Sequence, residues 1–578
     1  MMCSLCCLLP LAMLNAAERV EPLGDFGRRV DLVRGRMLAG GVPEFTPDFI
    51  LADVALKPEY PRRFSEYSGD LSGRYIDAMA CMPTDSTWAP LKALAEEAIA
   101  YQKPDGRFGS TALEFTPDAI RMEHMALLWG NGRLLVGLLE YHAAHPDAKV
   151  LAAACKLGDF LLSIHASCAR EDVRDRVQDM NAAGMICFSQ LVEPFALLAQ
   201  ATGETRYLEG AKKTVPWLIQ ERRKQHTHGY LTTVRGIMTL YAVTHDVQYL
   251  TLAEDLFNSL THSGDNWVYG GVEEYFGGNC GRDEGCSEGD FVRLAVQLWK
   301  ATGKAEYLER GERCLLNELY MNQFATGDFG HHACNRQGPV APANPGRAWW
   351  CCTMHGLRTF RDVVDAIATE KDGEVHVNLF LDARWTNGPS ALRISDSAGP
   401  VMKVAIENAP EAGMKLAIRQ PTWAAPLEVT VNGISAPAET QDGYLVLAQP
   451  LKKGDQAAIN IHYIAALETR DGRRLALDAL SEKPVEAVLF NGPWLLGVDE
   501  PDNPGFLAEP EAGNRVILGT AQASANSASA PFAVPAAEIA CEYVHEGFPG
   551  RLPLVLRPMA ERTAHYPAAF AVWLNYGK

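Results

Sequence analysis

The sequence is poor in positive charge, and its Lys and Arg residues form no cluster. Lys and Arg together number 53 against 71 Asp and Glu, so the formal net charge is −18 over 578 residues. Binding to phosphate backbones or anionic membranes depends on concentrated positive charge. The charge balance therefore makes nucleic acids and membrane surfaces poor partners, and a neutral or polar substrate fits better.

Long hydrophobic runs are also missing after the first residues, so we expect no transmembrane helix in the mature chain. Residues 1–17 contain an apolar run of about a dozen residues that ends in small residues, as the apolar part of a signal peptide does. No Lys or Arg precedes this run, so one usual feature of a signal peptide is absent. We predict a signal peptide over residues 1–17 and a secreted or periplasmic protein.

A complete set of paired cysteines is missing as well. Without the three cysteines of the predicted signal peptide, the chain keeps 11 of its 14 cysteines. An odd number argues against a full disulfide framework in an exported protein. Cys155 and Cys314 lie in apolar helical patterns, where cysteine acts as a small core residue. Cys286 and the adjacent Cys351 and Cys352 have no such explanation.

Helical hairpins repeat through the middle of the sequence. Residues 196–215 and 295–315 each predict a helix, a short Thr-Gly turn and a second helix that opens at Tyr-Leu, and residues 140–162 and 240–260 are looser copies. Repeated hairpins cannot bury their apolar faces alone and must stack. About six such pairs predict an (α/α)₆ toroid as catalytic domain over residues 85–371, with an open α-solenoid as the alternative.

After Gly373 the pattern changes to alternating apolar and polar residues, which is typical of strands. The pair Asn432-Gly433 between two such stretches predicts a tight β-hairpin. We predict a β-sandwich over residues 372–465 and a second β-rich module over 466–578. The N-terminal segment 18–84 is mixed, and we expect it to pack on the toroid or the sandwich. The fold class is a multi-domain α plus β protein.

Three cysteines and one glutamate are the strongest chemical signal. Glu284 and Cys286 open a predicted helix, and Cys351 and Cys352 follow two tryptophans about 65 positions later. Three thiolates and one carboxylate would complete a tetrahedral zinc site if the loops bring both segments together. From the spacing alone, a zinc site is no better supported than cysteines that are only buried or disulfide-bonded.

The run DEGCSEGDFVRLAVQLWKATGKAEYLERGERCLLNELYMNQ, followed by WWCCTMHGLRTF, resembles glycoside hydrolase families 127 and 146, the β-L-arabinofuranosidase group. Those families carry Glu-x-Cys at the start of a helix and a later Cys-Cys pair, in a helical toroid followed by β-sandwich modules. The resemblance spans most of the mature chain. It implies that Glu284, Cys286, Cys351 and Cys352 bind Zn²⁺ and that Cys351 is also the nucleophile. A metal-bound thiolate is deprotonated and can attack an anomeric carbon at neutral pH, with retention of configuration.

The same resemblance places the general acid/base in the segment GGVEEYFGGNCG. Glu274 matches the family's Glu-x-Phe best, and Glu273 is the alternative. Two features depart from the family: the loop before Glu284 is short and holds an extra Cys280, and Thr-Met-His355-Gly follows the Cys-Cys pair. These departures leave the metal and thiolate residues in place, but they leave the sugar open, including another pentofuranoside or an acidic sugar.

Several side chains are candidates for contacting the sugar, because the family's substrate-binding histidine has no clear counterpart. A single histidine is more often a surface or core residue than a substrate-binding one, and this is the alternative for each histidine named here. The candidates for substrate binding are His228, His331, His332, Trp350 and His355.

We therefore predict a retaining exo-glycoside hydrolase that removes β-L-arabinofuranosyl or a related sugar from an oligo- or polysaccharide. No nucleic acid and no membrane is expected as a partner after signal removal, and a homodimer is an open expectation. One alternative is a toroid-fold lyase or unsaturated-uronyl hydrolase, which needs no thiolate cluster. The other is a non-catalytic carbohydrate-binding protein with a structural zinc.

Overall fold

The structure is a computed structural model. It describes residues 18–39, 42–59, 66–177, 184–222, 225–277, 280–332, 334–335, 338–339, 347–507, 514–523, 538–545, 549–560 and 570–578. The predicted signal peptide at 1–17 lies outside these residues. The chain divides into two compact units, one of Met1–Arg19 and Gly40–Leu256 and the other of Val20–Ala39 and Phe257–Lys578.

Helices make up most of the first unit and part of the second. In chain order, the helices are α1 (Gly24–Leu38), α2 (Pro47–Ala55), α3 (Asp70–Cys81), α4 (Asp85–Ala100), α5 (Met122–Ala144), α6 (Ala148–Cys168), α7 (Glu171–Val177), α8 (Ile186–Ser189), α9 (Val192–Thr202), α10 (Thr205–Thr214), α11 (Thr227–Thr244), α12 (Val247–Thr261), α13 (Gly285–Thr302), α14 (Ala305–Cys314), α15 (Tyr320–Asn322) and α16 (Trp350–Ile367). Helix α1 and helices α13 to α16 belong to the second unit, and α12 ends there.

Neighbouring helices form the hairpins that the sequence repeat predicts. Two residues join α9 to α10, and two residues join α13 to α14. Both turns begin with a glycine in the left-handed conformation, Gly203 with φ of 71° and Gly303 with φ of 72°. Glycine adopts this conformation without steric cost and is therefore common just after a helix. Helical hairpins with the same turn thus occur in both units.

Helix α6 is, by length and composition, apolar enough to cross a membrane, and it alone passes that test among the described residues. Half of its most apolar stretch is buried within the structure. Leu157 and Leu161 on this helix are fully buried. A core helix of a soluble protein has the same length and composition, so α6 is weak evidence for a membrane span.

Strands dominate the chain after Ile367. In chain order, the strands are β1 (Glu18–Pro22), β2 (Gly330–His331), β3 (Cys334–Asn335), β4 (Gly338–Pro339), β5 (Arg347–Ala348), β6 (Ala368–Lys371), β7 (Glu374–Val377), β8 (Ala383–Asn387), β9 (Ser390–Ser395), β10 (Val401–Asn408), β11 (Lys415–Arg419), β12 (Glu428–Val431), β13 (Ile434–Ser435), β14 (Ala438–Gln441), β15 (Tyr444–Leu447), β16 (Gln456–Asn460), β17 (Ala465–Glu468), β18 (Arg474–Ala476), β19 (Val485–Asn491), β20 (Trp494–Asp499), β21 (Arg515–Ala523), β22 (Ile539–Val544), β23 (Leu552–Pro558), β24 (Phe570–Ala571) and β25 (Leu574–Gly577).

Strands β6 to β16 form two sheets. One contains β8-β9-β10-β16-β12-β13 in that order, and the other contains β14-β15-β11-β7-β6. In the β12–β13 hairpin Val431 pairs with Ile434, and the two residues between them, Asn432 and Gly433, have φ of 51° and 81°. Two successive positive φ angles are the signature of the tight turn that favours Asn-Gly. The predicted hairpin is confirmed.

The C-terminal strands close on themselves. Their order is β18-β17-β19-β25-β21-β22-β23-β20-β24, and β19 also pairs with β20. The strands from β19 round to β20 therefore form a closed ring. Closure pairs both edges of every strand in the ring, which removes the exposed edges on which sheets aggregate.

Helices α13 and α16 pack against each other in the second unit, and α1 packs on α16. Nε of Arg293 on α13 donates a hydrogen bond to Oδ2 of Asp362 on α16 at 2.7 Å. The next helix, α14, is joined to the sheet by a buried ion pair between Glu312 and Arg419 of β11. These contacts hold α13, α14 and α16 within the second unit.

Candidate active site

The four predicted metal ligands meet at the N-terminal ends of two helices. Glu284 immediately precedes α13 and Cys286 lies in its first turn, while Cys351 and Cys352 lie in the first turn of α16. One ligand atom from each residue lies within 4.8 Å of all the others. None of the four residues is more than 8% exposed. The packing of α13 on α16 therefore brings the two distant segments together.

The sulfur atoms of this cluster are not bonded to one another. Cys286, Cys351 and Cys352 form no disulfide bond among the described residues. Sγ of Cys286 lies 3.7 Å from Sγ of Cys352, whereas a disulfide bond is about 2.05 Å long. Two thiolates on one tetrahedral zinc ion, with bonds of about 2.3 Å each, would stand about 3.8 Å apart. Spacing and donor set therefore fit zinc, and the disulfide alternative is wrong for these residues.

Burial makes isolated thiolates unfavourable at this site. It raises the pKa of the Cys286 thiol well above its usual value, and the neighbouring Cys351 and Cys352 add to the shift. Burial raises the pKa of Cys352 in the same way. The N-terminal ends of α13 and α16 supply partial positive charge, and a divalent cation would supply the remainder. The donors therefore suit a metal centre, where thiols bind with loss of their protons.

Glu274, the predicted acid/base, lies beside the cluster. A carboxylate oxygen of Glu274 lies within 4.8 Å of one from Glu284. Nε of Arg282 donates to Oε2 of Glu274, and Sγ of Cys280 lies 3.8 Å from the same oxygen. The candidate acid/base thus has a guanidinium partner beside the metal ligands.

A buried carboxyl group on α13 holds the loop that carries Glu273 and Glu274. Oε1 of Glu288 accepts a hydrogen bond from the backbone N–H of Val272 at 3.1 Å, and Sγ of Cys314 lies 3.0 Å from its other oxygen. Burial raises the pKa of Glu288 well above its usual value. Glu273, the alternative acid/base, is itself buried in this loop.

His331 and His332 both contact Asp283. Nδ1 of His331 lies 3.1 Å from the carbonyl oxygen of Asp283, and its half-buried ring lies 6.1 Å from the half-buried ring of Trp349. The backbone N–H of His332 donates to Oδ1 of Asp283 at 2.5 Å, and its buried ring stacks on Phe324 at 4.8 Å. His331 and Trp349 therefore offer partly open rings next to the ligands, whereas His332 packs inside.

His355 connects α16 to α13. Its Nε2 lies 2.9 Å from Oδ1 of Asp290, and both side chains are buried. Asp290 follows Cys286 by four residues, and His355 follows Cys351 by four, so the pair lies one helical turn beyond the ligands. Trp350 is also buried, at 9% exposed.

His228 lies in the first unit and has buried partners there. Its Nε2 lies 2.8 Å from Nη2 of Arg74, and its ring lies 5.3 Å from the ring of Trp129. His226 lies 5.8 Å from the His228 ring. Nε1 of Trp129 donates to Oδ1 of Asp70 at 2.9 Å. Charged and aromatic groups thus surround His228 within its own unit.

Four residues near the ligands were missed from the sequence. Arg282 and Asp283 directly precede Glu284, and Asp290 lies one helical turn after Cys286, so proximity and helical spacing could have found them. Trp349 stands next to Trp350, and only the fold shows that Trp349 is the more open of the two.

Known families match most of this chain. The family profile described as beta-L-arabinofuranosidase, GH127 catalytic domain, matches residues 48–365. The profile described as beta-L-arabinofuranosidase, GH127 middle domain, matches residues 374–463. Curated protein sequences give no match.

Solved structures share the fold of this chain at low sequence identity. A GH127 beta-L-arabinofuranosidase from Geobacillus stearothermophilus T6 has a TM-score of 0.73 and 15% identity, over 96% of this chain and 100% of that one. The GH127 beta-arabinofuranosidase BT3674 has a TM-score of 0.71 and 16% identity, over 97% and 98%. A third structure, a glycoside hydrolase, has a TM-score of 0.67 and 15% identity, over 98% and 99%.

Proposed function

The chain belongs to the GH127 family of glycoside hydrolases, and from that premise we propose that it is a retaining exo-glycosidase. Its substrate in this proposal is a β-L-arabinofuranosyl or related sugar at the end of an oligo- or polysaccharide. The observation that carries the proposal is the buried group of Glu284, Cys286, Cys351 and Cys352. Membership in the family confirms the prediction of a glycoside hydrolase.

Access supports Cys351 as the nucleophile. Cys351 is 8% exposed, whereas Cys286 and Cys352 are 0% exposed. A nucleophile must reach a substrate atom, and a purely structural ligand need not. Of the three sulfurs, Cys351 is therefore the one that a sugar can approach.

In the proposed reaction Glu284, Cys286, Cys351 and Cys352 would hold a zinc ion, whose charge would keep the sulfurs deprotonated. Sγ of Cys351 attacks the anomeric carbon while Glu274 gives its proton to the glycosidic oxygen, and the leaving alcohol departs. Glu274 then takes a proton from water as the water oxygen bonds to the anomeric carbon and the carbon–sulfur bond breaks. Two inversions at one carbon retain its configuration.

We also propose the larger architecture that the sequence predicts. The helical hairpins close into an (α/α)₆ toroid over residues 85–371, followed by a β-sandwich over 372–465 and a second β-rich module over 466–578. Family matches that end at 365 and resume at 374 support the boundary near residue 372. Export through a signal peptide, a secreted or periplasmic location and a homodimer stay predictions.

Replacing the nucleophile tests the mechanism. The wild-type protein should hold about one zinc per chain and hydrolyse a chromogenic β-L-arabinofuranoside. Cys351→Ser should remain folded and lose activity by at least about a thousandfold, because serine is a far weaker nucleophile at neutral pH. Cys541→Ser, a buried cysteine on β22, is the matched control and should keep full activity. Equal turnover by Cys351→Ser and wild type would overturn the proposal.

A further inference from the structure

Arg282 combines a contact to the candidate acid/base with an open side chain. Its Nε donates to Oε2 of Glu274, whose side chain is only 8% exposed. The Arg282 side chain itself is 48% exposed. One edge of the guanidinium therefore faces Glu274, while much of the group remains accessible to a ligand.

The backbone at Arg282 is held in place by a buried network. The backbone N–H of Glu274 donates to the carbonyl oxygen of Arg282 at 3.2 Å. The next residue, Asp283, is fully buried, and its carboxylate accepts hydrogen bonds from the N–H of His332 at 2.5 Å and from Nδ2 of Asn322 at 3.0 Å. The guanidinium thus projects from a fixed point, which lowers the entropy that binding would cost.

Most of the hydrogen-bond donors of Arg282 are available. A guanidinium has five N–H bonds in a planar fork. Among the residues that the structure describes, only the Nε–H of Arg282 has a hydrogen-bond acceptor. The two Nη amino groups can form two parallel bonds to the oxygens of one carboxylate, the geometry in which arginine binds anions best.

Arg282 places a positive charge beside acidic groups. The carboxylates of Glu274 and Glu284 lie within 4.8 Å of each other. Once Glu274 has given up its proton, its carboxylate would repel an anionic leaving group beside it if Arg282 were absent. With Arg282, Nε is used by Glu274, and the two Nη groups have no hydrogen-bond acceptor among the described residues.

We propose that Arg282 forms an anion subsite and that the sugar on the leaving-group side carries a carboxylate, that is, a uronic acid residue. The inference rests on the proposed function, because that function puts Glu274 at the oxygen of the leaving group. Arg282, as the partner of Glu274, then lies on the leaving-group side of the scissile bond. The terminal sugar that bonds to Cys351 lies on the opposite side of that bond. Arg282 therefore selects the chain from which the terminal sugar is removed.

Matched substrates test the subsite. The terminal arabinofuranosyl sugar is linked either to a galacturonic acid residue or to the same residue with its carboxylate converted to the primary amide. Wild-type protein should cleave the acid with a kcat/KM at least about tenfold above that of the amide, as one charge-assisted pair of hydrogen bonds would give. Arg282→Gln should reduce the ratio to near one, mainly through KM of the acid, and Arg282→Lys should restore part of it.

A matched variant and a binding measurement complete the test. Arg393→Gln is the control, because Arg393 is 49% exposed and also pairs with a glutamate, and it should keep the wild-type ratio. Calorimetry with methyl galacturonoside and its amide measures the same preference without turnover, and wild-type protein should prefer the acid by about tenfold. Equal binding of acid and amide by wild type, or equal losses on both in Arg282→Gln, would overturn the inference. Failure to hydrolyse any β-L-arabinofuranoside would instead reject the proposed function, which the binding measurement does not need.

Discussion

In the proposed reaction Glu274 gives up a proton and later takes one back. Replacing it by Gln removes the carboxyl group that carries this proton without changing the size of the side chain. Glu274→Gln should lower kcat by at least about a hundredfold, as the loss of a general acid/base does. Azide needs no base and should restore turnover, with formation of a glycosyl azide. Activity on the chromogenic β-L-arabinofuranoside, with and without azide, measures both effects.

The neighbouring glutamate provides the comparison. Glu273 lies in the same loop and is buried, as Glu274 is. Glu273→Gln should show no rescue by azide. Full activity of Glu274→Gln together with azide-dependent activity of Glu273→Gln would transfer the acid/base role to Glu273.

Asp53 is a buried acid in the first unit whose ionisation opposes folding. Burial raises the pKa of Asp53 from 3.8 to about 7, although Oδ2 accepts hydrogen bonds from the N–H groups of Gly69 at 2.8 Å and Leu71 at 3.0 Å. The folded state therefore holds the proton more tightly than the unfolded state, whose pKa stays near 3.8. Below that pH both states are protonated, so the stability is complete there and is lost as pH rises toward 7.

Asp53→Asn should flatten this pH dependence, because asparagine keeps an oxygen acceptor and cannot ionise. Wild type should lose up to about 4 kcal/mol of unfolding free energy between pH 4 and pH 8 through this one group. Urea unfolding of wild type and variant across that range measures the difference. Asp48→Asn is the control, because Asp48 is 62% exposed on the same helix. Parallel curves for wild type and Asp53→Asn would show that Asp53 ionises normally.

At the level of elements, α13 and α16 are joined at successive turns. Cys286 meets Cys352, Asp290 meets His355 one turn later, and an ion pair between Arg293 and Asp362 follows. Residues spaced by three or four lie on one face of a helix. The proposed metal ligands therefore sit at one end of a continuous interface, and a change within the interface should alter their positions.

Gly289 tests that dependence because it lies inside the interface. A Cβ at Gly289 would meet Oγ1 of Thr359 at 2.5 Å and Cδ2 of His355 at 2.9 Å. Gly289→Ala should therefore separate the helices, destabilise the protein by about 1–3 kcal/mol and lower zinc content and activity. Gly35→Ala on α1 is the control, because nothing lies within 4 Å of its Cβ position, and it should stabilise by about 0.5–1 kcal/mol. Higher stability with full activity in Gly289→Ala would contradict the close contact.

The sequence predicts these elements to different extents. The hairpins at Gly203 and Gly303 and the turn at Asn432-Gly433 follow from local rules, since each turn needs a residue that tolerates positive φ. The ring from β19 to β20 follows from pairing between strands far apart in the chain, which no local pattern encodes. Local structure was therefore predictable and strand closure was not.

On the scale of the whole molecule, the candidate site was likewise predictable from the sequence only in part. Glu284, Cys286, Cys351 and Cys352 were predicted together as metal ligands because they match a family motif, but their convergence depends on helix packing. The partner of Glu274 was not predicted, because a charge beside a carboxylate is a property of the folded loop. The open face of Trp349 was missed because exposure depends on everything packed around it.

The N-terminal segment shows how distant parts of the chain support that packing in the second unit. Arg29 on α1 is fully buried, and its guanidinium lies 4.0 Å from the ring centre of Tyr320 and pairs with Asp25 at 2.9 Å. Phe26 on the same helix meets Phe360 of α16 edge to face at 5.2 Å. Helix α1 is thus part of the framework that positions α16 and its two cysteines.

Metal removal should therefore affect the stability of the molecule as well as its activity. Without a cation the buried thiols regain protons and no longer hold the starts of α13 and α16 together, so a chelator should lower the melting temperature by about 5 °C or more. Added zinc should restore both melting temperature and activity. Cys286→Ser should melt lower from the outset and respond little to the chelator, because it removes one of the four proposed ligands. A melting temperature that stays the same after zinc has been removed completely would show that Glu284 and the three cysteines hold the helices together without a metal.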